Sequence, residues 1–229
     1  IKKTQVDQLP VYVYSDNAAM GRAAALDARK QIVIAIAERG KASIILATGN
    51  SQLTFLHTLR ELDGIDWAKV EVFHMDEYLG LAPTHPASFP LFLKEHFIQY
   101  VHPGAFHPVP NSPDDIEQAC RDYEQLLRDH PADLVAMGWG ENGHIAFNEP
   151  GSSLSSRTRL KTLAKTTIDD NARFFKNRDE VPIYAITMGV GTILEAEQII
   201  LLAHGKAKAS AIAAAVEGPV TSMVTASAL

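Results

Sequence analysis

Three short segments of the chain bring together side chains suited to proton transfer and anion binding. In the run from Met137 to Pro150, one histidine, His144, sits in a glycine-rich loop, with Asn142 just before it and Glu149 five residues after it. An imidazole exchanges protons near neutral pH, and a carboxylate at that spacing can orient the ring and stabilise its protonated form. Gly138, Gly140 and Gly143 fall within six residues, a density that suits positive φ or close approach of backbone to a ligand. A packed loop around a hydrogen-bonded histidine is the plainer alternative, but apolar packing does not account for so many glycines. The second segment, Phe73-His74-Met75-Asp76-Glu77-Tyr78, ends an apolar run with adjacent carboxylates. A base acting on a carbon acid must be ionised and close to the C–H, and a partly desolvated Asp at a strand end meets both demands. A solvated pair capping the next turn would read the same locally. In the third, Ala47-Thr48-Gly49-Asn50-Ser51, hydroxyls and backbone N–H groups at a helix N-terminus suit a phosphate, although an ordinary turn with a capping Ser fits as well.

Outside these segments, Arg157, Arg159 and Lys161 alternate in a Ser/Thr-rich stretch, Arg173 precedes Phe174-Phe175, and Lys208 falls in the first turn of the last predicted helix. Arg can hold a phosphate through two parallel hydrogen bonds, but exposed cations are common and position alone does not separate the two roles. Nine histidines invite a test for metal binding. His-Glu-x-x-His is absent, and His85, His96, His102 and His107 lack the i,i+4 spacing of a zinc helix, so no metal is expected. His57, His74, His130 and His204 read as surface or packing residues. There is no Gly-x-Ser-x-Gly, and Cys120 falls inside a predicted helix, which disfavours covalent nucleophilic catalysis.

Short β-branched runs alternate with helical stretches, the pattern of βα units around a parallel sheet. Strands are predicted at Val11–Tyr14, Ser43–Ala47, Val70–Met75, Asp133–Gly138, Tyr184–Met188 and Gln198–Ala203. Helices are predicted at Ala18–Arg39, between an Asp16 or Asn17 cap and Gly40, at about Gln52–Leu62 and at Ser88–Tyr100. Others are predicted from Ser112-Pro113-Asp114-Asp115 to about Arg128, from about Gly191, and at about Lys206–Val216. The expected architecture is α/β: a three-layer, mostly parallel, Rossmann-like sheet with helices on both faces. No repeat or linker divides the chain, so residues 1–229 are read as a single domain. Ligands of such sheets bind beyond the carboxyl ends of the strands, which is where all three segments fall.

The 229 residues carry 27 acidic and 21 basic side chains, a formal charge of −6 that disfavours nucleic acid and anionic membrane surfaces. The apolar run Ile32–Ala37, bounded by Lys30 and Glu38, is far short of the ~20 residues that span a bilayer. A single cysteine forms no internal disulfide and points to a reducing compartment, by default the cytoplasm. No basic segment followed by an apolar one opens the chain, and the first residue is Ile1, so residues trimmed before it are expected.

Taken together, Thr48-Gly49-Asn50-Ser51, Met75-Asp76-Glu77-Tyr78, the loop from Gly140 to Pro150 and Ser155-Ser156-Arg157-Thr158-Arg159 resemble the glucosamine-6-phosphate deaminase family. The likeness continues through Asn171-Ala172-Arg173-Phe174-Phe175, Gly189-Val190-Gly191-Thr192 and Ala215-Val216-Glu217-Gly218, and so covers the chain from about Ile44. The related 6-phosphogluconolactonases share the Gly-x-x-Gly-His core but usually diverge after the His, so residues 145 to 150 favour the deaminase branch.

The resemblance implies a deaminase/isomerase-type α/β fold, conversion of glucosamine 6-phosphate to fructose 6-phosphate and ammonia, a small-molecule sugar phosphate as partner, and no cofactor. By position, Asp76 matches the base that moves a proton between C2 and C1, His144 the group that opens the sugar ring, and Glu149 its carboxylate partner. Asn142 stands where some members carry the Asp of a carboxylate–His–carboxylate relay. Thr48, Gly49, Asn50, Ser51, Arg173 and Lys208 stand where the family binds the substrate phosphate. Ser152, Arg159 and Lys161 match positions that bind N-acetylglucosamine 6-phosphate between subunits of some hexameric members, so an allosteric site and a homo-oligomer are compatible with the resemblance. Two competing functions are a 6-phosphogluconolactonase, which needs no base at C2, and a non-catalytic sugar-phosphate sensor.

Overall fold

A computed structural model describes residues 1–229, the side chain of Asp170 excepted. The chain opens with an antiparallel hairpin of β1 (Lys2–Val6) and β2 (Leu9–Val13). There follow α1 (Asn17–Arg39), β3 (Ala42–Leu46), α2 (Asn50–Glu61), β4 (Val70–His74) and β5 (Asp76–Tyr78). Next, α3 (Phe89–Leu93) widens into a π turn over Lys94–Ile98 and closes as α4 (Gln99–Val101), before β6 (Ala105–His107), α5 (Ile116–Asp129) and β7 (Leu134–Met137). The last third holds β8 (Arg159–Thr162), α6 (Lys165–Asn171), β9 (Tyr184–Thr187), α7 (Val190–Ile193), β10 (Ile199–Leu201) and α8 (Ala209–Val216).

Five strands form a parallel sheet in the order β10-β7-β3-β4-β6. Its central strand, β3, is buried throughout, which explains the uninterrupted apolar run that marked it in the sequence. Successive residues alternate between two cores. Ile44, Leu46, Val72 and Ala136 pack with Ala28 and Ile32 of α1 and Phe55 and Leu59 of α2. Ile45, Phe73, Val135 and Met137 face the other way, onto Cys120, Tyr123 and Leu127 of α5. Burial of one such Leu, Ile or Phe side chain contributes about 1.5–3 kcal/mol. This confirms the expected α/β sheet with helices on both faces.

Helix ends follow the local chemistry. Asp16 caps α1 by accepting from the Ala19 N–H at 2.7 Å, and the helix stops at Gly40, whose N–H bonds the Ile36 carbonyl at 2.9 Å. The cap of α5 is Asp115, accepting from Gln118 N–H at 2.9 Å, rather than the Ser of Ser112-Pro113-Asp114-Asp115. Asp115 lies immediately before the apolar stripe of Cys120, Tyr123 and Leu127, so the helix begins where its buried face begins.

Two expected members of the parallel sheet lie elsewhere. Val11–Tyr14 falls largely in β2 of the exposed N-terminal hairpin, where neither face gains a buried layer. Tyr184–Met188 contributes β9, the middle of a separate antiparallel sheet in the order β5-β9-β8. Its outer strand β8 holds the alternating Arg159 and Lys161, which read as a run of cations rather than as an edge strand. The helix from about Gly191 is the short α7, and the segment from Lys206 is a 3₁₀ turn, Lys206–Lys208, leading into α8.

Candidate active site

The carboxyl ends of β3, β4, β7 and β10 open onto one cleft of about 510 Å³. Of the ten residues expected to be catalytic or phosphate-binding, eight line it: Thr48, Gly49, Asn50, Ser51, Asp76, His144, Arg173 and Lys208. The other two, Asn142 and Glu149, bond the rear of His144.

One end of the cleft is arranged for an anion. Gly49 turns the chain from β3 into α2 at φ +105°, a conformation that strains any residue with a Cβ. The helix that follows has no side-chain cap, so its first N–H groups remain available beside the hydroxyls of Thr48 and Ser51. The alternative of an ordinary turn with a capping Ser is therefore not what forms: Ser51 Oγ accepts from Gln52 Nε2 at 3.1 Å instead. The 3₁₀ turn after β10 brings Lys208, and the turn Ala172–Phe174 after α6 brings Arg173, whose guanidinium lies 4.9 Å from the centre of the Phe174 ring. Among the described residues, neither cation pairs with a carboxylate.

The other end holds the acid–base groups. Asp76 begins β5, paired with Thr187 of β9, and is 9% exposed. Burial, and then the adjacent Glu77 charge, push its pKa up to about 8. Glu77 is itself buried. Its Oε1 accepts from Tyr78 N–H at 2.8 Å, and its Oε2 accepts from Ser88 Oγ at 2.8 Å and Phe89 N–H at 3.2 Å. Burial outweighs these bonds and raises its pKa to about 7. Through them Glu77 fixes Ser88 and Phe89, which line the cleft.

His144 lies against Gly140 so closely that a Cβ at residue 140 would collide with the imidazole. That contact accounts for the glycine directly. Asn142 Nδ2 donates to Glu149 Oε2 at 3.0 Å, which leaves Asn142 Oδ1 facing His144 Nδ1 at 2.7 Å. An amide oxygen only accepts, so Nδ1 carries the proton and the lone pair of the neutral ring is on Nε2. Glu149 Oε2 also lies 3.3 Å from His144 Nδ1, and Thr167 Oγ1 donates to Glu149 Oε1. Burial opposes the Glu149 charge, but the bond and charge of His144, followed by the Thr167 and Asn142 bonds, bring its pKa down to about 2.

Several wall residues escaped sequence reasoning. His204, read as a surface or packing residue, lines the cleft near Lys208, as do Thr167 and Asn171 of α6. Only the position of His204 just beyond a predicted strand could have marked it. His74 does pack: it is fully buried beside Phe89, and burial lowers its pKa to about 3. Ser152, Arg159 and Lys161 are not on the cleft wall. Among the described residues, no group of three or more His, Cys, Asp or Glu is arranged to hold a metal, and no helix is long and apolar enough to cross a membrane.

The fold and the site define an α/β protein with one cleft at its strand ends, where Arg173, Lys208 and a helix N-terminus share the walls with a buried carboxylate and a polar-backed histidine. The chain belongs to the family of glucosamine-6-phosphate isomerases and 6-phosphogluconolactonases, whose model matches residues 15–228. It is 44% identical over 208 residues to a glucosamine-6-phosphate deaminase of Hahella chejuensis, covering 87% of this chain and 78% of that one. The fold matches the solved structure of a monomeric glucosamine-6-phosphate deaminase with a TM-score of 0.87 at 34% identity, covering 94% of this chain and 90% of that one. A 6-phosphogluconolactonase from Shewanella baltica shares the fold, with a TM-score of 0.76 at 23% identity over 93% and 90% of the two chains.

Proposed function

We propose that this protein isomerises and deaminates glucosamine 6-phosphate, giving fructose 6-phosphate and ammonia. The observation that carries this reading is the buried carboxylate of Asp76 sharing a cleft with His144, with Arg173 and Lys208 on the same walls. Phosphate held by Thr48, Gly49, Asn50, Ser51, Arg173 and Lys208 fixes the sugar at a distance from its reacting carbons, so remote binding energy orients the chemistry.

His144 Nε2 takes the C1 hydroxyl proton and returns one to the ring oxygen, opening the pyranose to an aldehyde. The imidazolium formed in between is stabilised by Glu149, itself held by Asn142. The aldehyde acidifies the C2 proton. Asp76 removes it and delivers it to C1 of the enolamine, leaving an imine at C2 to which water adds as ammonia departs. The raised pKa of Asp76 suits a group that must both accept and give back a proton. The substrate ammonium beside it favours the ionised form needed for the first step.

A place in amino-sugar breakdown, in the cytoplasm, completes this reading, with residues 1–229 acting as one unit. The buried free thiol of Cys120 fits a reducing compartment. Ser152, Arg159 and Lys161 are proposed as an effector set separate from the cleft; the Ser152 hydroxyl is buried with no hydrogen-bond partner among the described residues. Purified protein assayed in parallel for ammonia release from glucosamine 6-phosphate and for hydrolysis of 6-phosphogluconolactone tests the reaction. Ammonia release supports it, and lactone hydrolysis without ammonia overturns it.

A further inference from the structure

Thr167 belongs to α6, is 5% exposed, and lines the cleft without having figured in the sequence-based site. Its hydroxyl donates to Glu149 Oε1, whereas the other carboxylate oxygen takes Asn142 Nδ2 at 3.0 Å and faces His144 Nδ1 at 3.3 Å. The two oxygens thus have separate partners: one is pinned from α6, and the other addresses the imidazole. The terminal torsion of a Glu side chain is broad, so without the hydroxyl the carboxylate can rotate away from the ring. Glu149 is 7% exposed, and water does not readily replace the lost donor. The same helix carries Asn171, whose Nδ2 bonds the Thr167 carbonyl at 2.9 Å, and runs directly into the turn bearing Arg173.

We infer that Thr167 is a positioning residue: its hydroxyl holds Glu149 in register with Asn142 and His144, and it ties that relay to the helix that delivers Arg173 to the phosphate end of the cleft. The inference rests on the roles given above to His144 and Arg173. Thr167 acts through Glu149, so its loss should fall on turnover rather than on substrate affinity. The Glu149 carboxyl, held low in part by this bond, should titrate higher without it.

Thr167→Val keeps the branched shape and removes the hydroxyl, whereas Thr167→Ser keeps the hydroxyl and removes a methyl group. Steady-state ammonia release by both variants and the wild type, together with a carbon-13 NMR titration of the Glu149 carboxyl, forms the test. The Val variant should lose about tenfold or more in kcat, with KM within about twofold, and the Ser variant should recover to within about threefold of wild type. The Glu149 titration should move upward in the Val variant only. Wild-type turnover in the Val variant, a Ser variant as impaired as Val, or an unmoved Glu149 titration each overturns the inference. Failure of the wild type itself to release ammonia counts against the functional reading instead, and the NMR titration still decides whether Thr167 holds Glu149.

Discussion

Asp76 pairs with Thr187 across the β5–β9 ladder, two residues beyond the end of the parallel strand β4. Thr187 Oγ1 in turn accepts from the Phe147 N–H at 3.1 Å, within the loop that carries His144 and Glu149. One residue of the small antiparallel sheet thereby fixes both halves of the acid–base set. The parallel sheet delivers residues 48–51, Lys208 and the loop of His144, and the second sheet places Asp76 and, through α6 after β8, Arg173.

The buried Asp76 carboxylate works against stability. Its folded pKa, about 8, lies above the ordinary aspartate value of 3.8, so the folded state favours the protonated form and loses stability as pH rises between those two values. Asp76→Asn should therefore raise Tm at neutral pH by about 5 °C, with the difference shrinking toward pH ~4. Thermal melts across pH check this, and a variant less stable than wild type at neutral pH would contradict it.

Because Asp76 must be ionised to act, kcat/KM should rise with pH toward about 8 in the free enzyme. Glu77→Gln removes the neighbouring charge that helps to raise that pKa while keeping a side chain of the same length. The acid limb of the kcat/KM profile should then move to lower pH by about one unit. An unmoved limb would mean that another group controls it.

Asn142 sets the tautomer of His144 by presenting only an acceptor to Nδ1. Asn142→Ala should lower kcat by about tenfold to a hundredfold, since the ring loses both its orientation and one donor to its carboxylate partner. Full activity in this variant would place the control of the ring elsewhere.

At the other end of the cleft, Arg173→Ala and Lys208→Ala should each raise KM by about tenfold or more, each removing a cation that has no carboxylate partner among the described residues. Kinetics with glucosamine 6-phosphate read this directly. Unchanged KM in both variants would remove the cradle from the account.

The parts of the site legible in the sequence were those where chemistry and backbone need coincide. Gly49 marks a turn at positive φ and Gly140 a place where a Cβ does not fit, Asp76 stands two residues past the end of β4, and His144 and Glu149 lie in the loop that follows β7. Buried βα units were legible for the same reason: β3, β4, β7 and β10 are short apolar runs, each followed by polar residues of the cleft. What escaped detection depends on long-range pairing. The two carboxylates at Asp76 and Glu77 gave no sign of starting a strand that pairs with a segment more than a hundred residues later. Thr167 carries no local signal at all, because its role exists only where α6 meets Glu149.

The central claim is that Asp76 carries the proton between C2 and C1. Glucosamine 6-phosphate deuterated at C2 tests it most directly, with wild type and Asp76→Asn compared by mass spectrometry of the fructose 6-phosphate formed. Wild type should turn over with a primary isotope effect and with the deuterium either moved to C1 or lost to solvent, while the Asn variant binds the substrate but leaves C2 labelled and releases almost no ammonia. Release of the C2 label by Asp76→Asn at a rate near that of wild type would contradict the account.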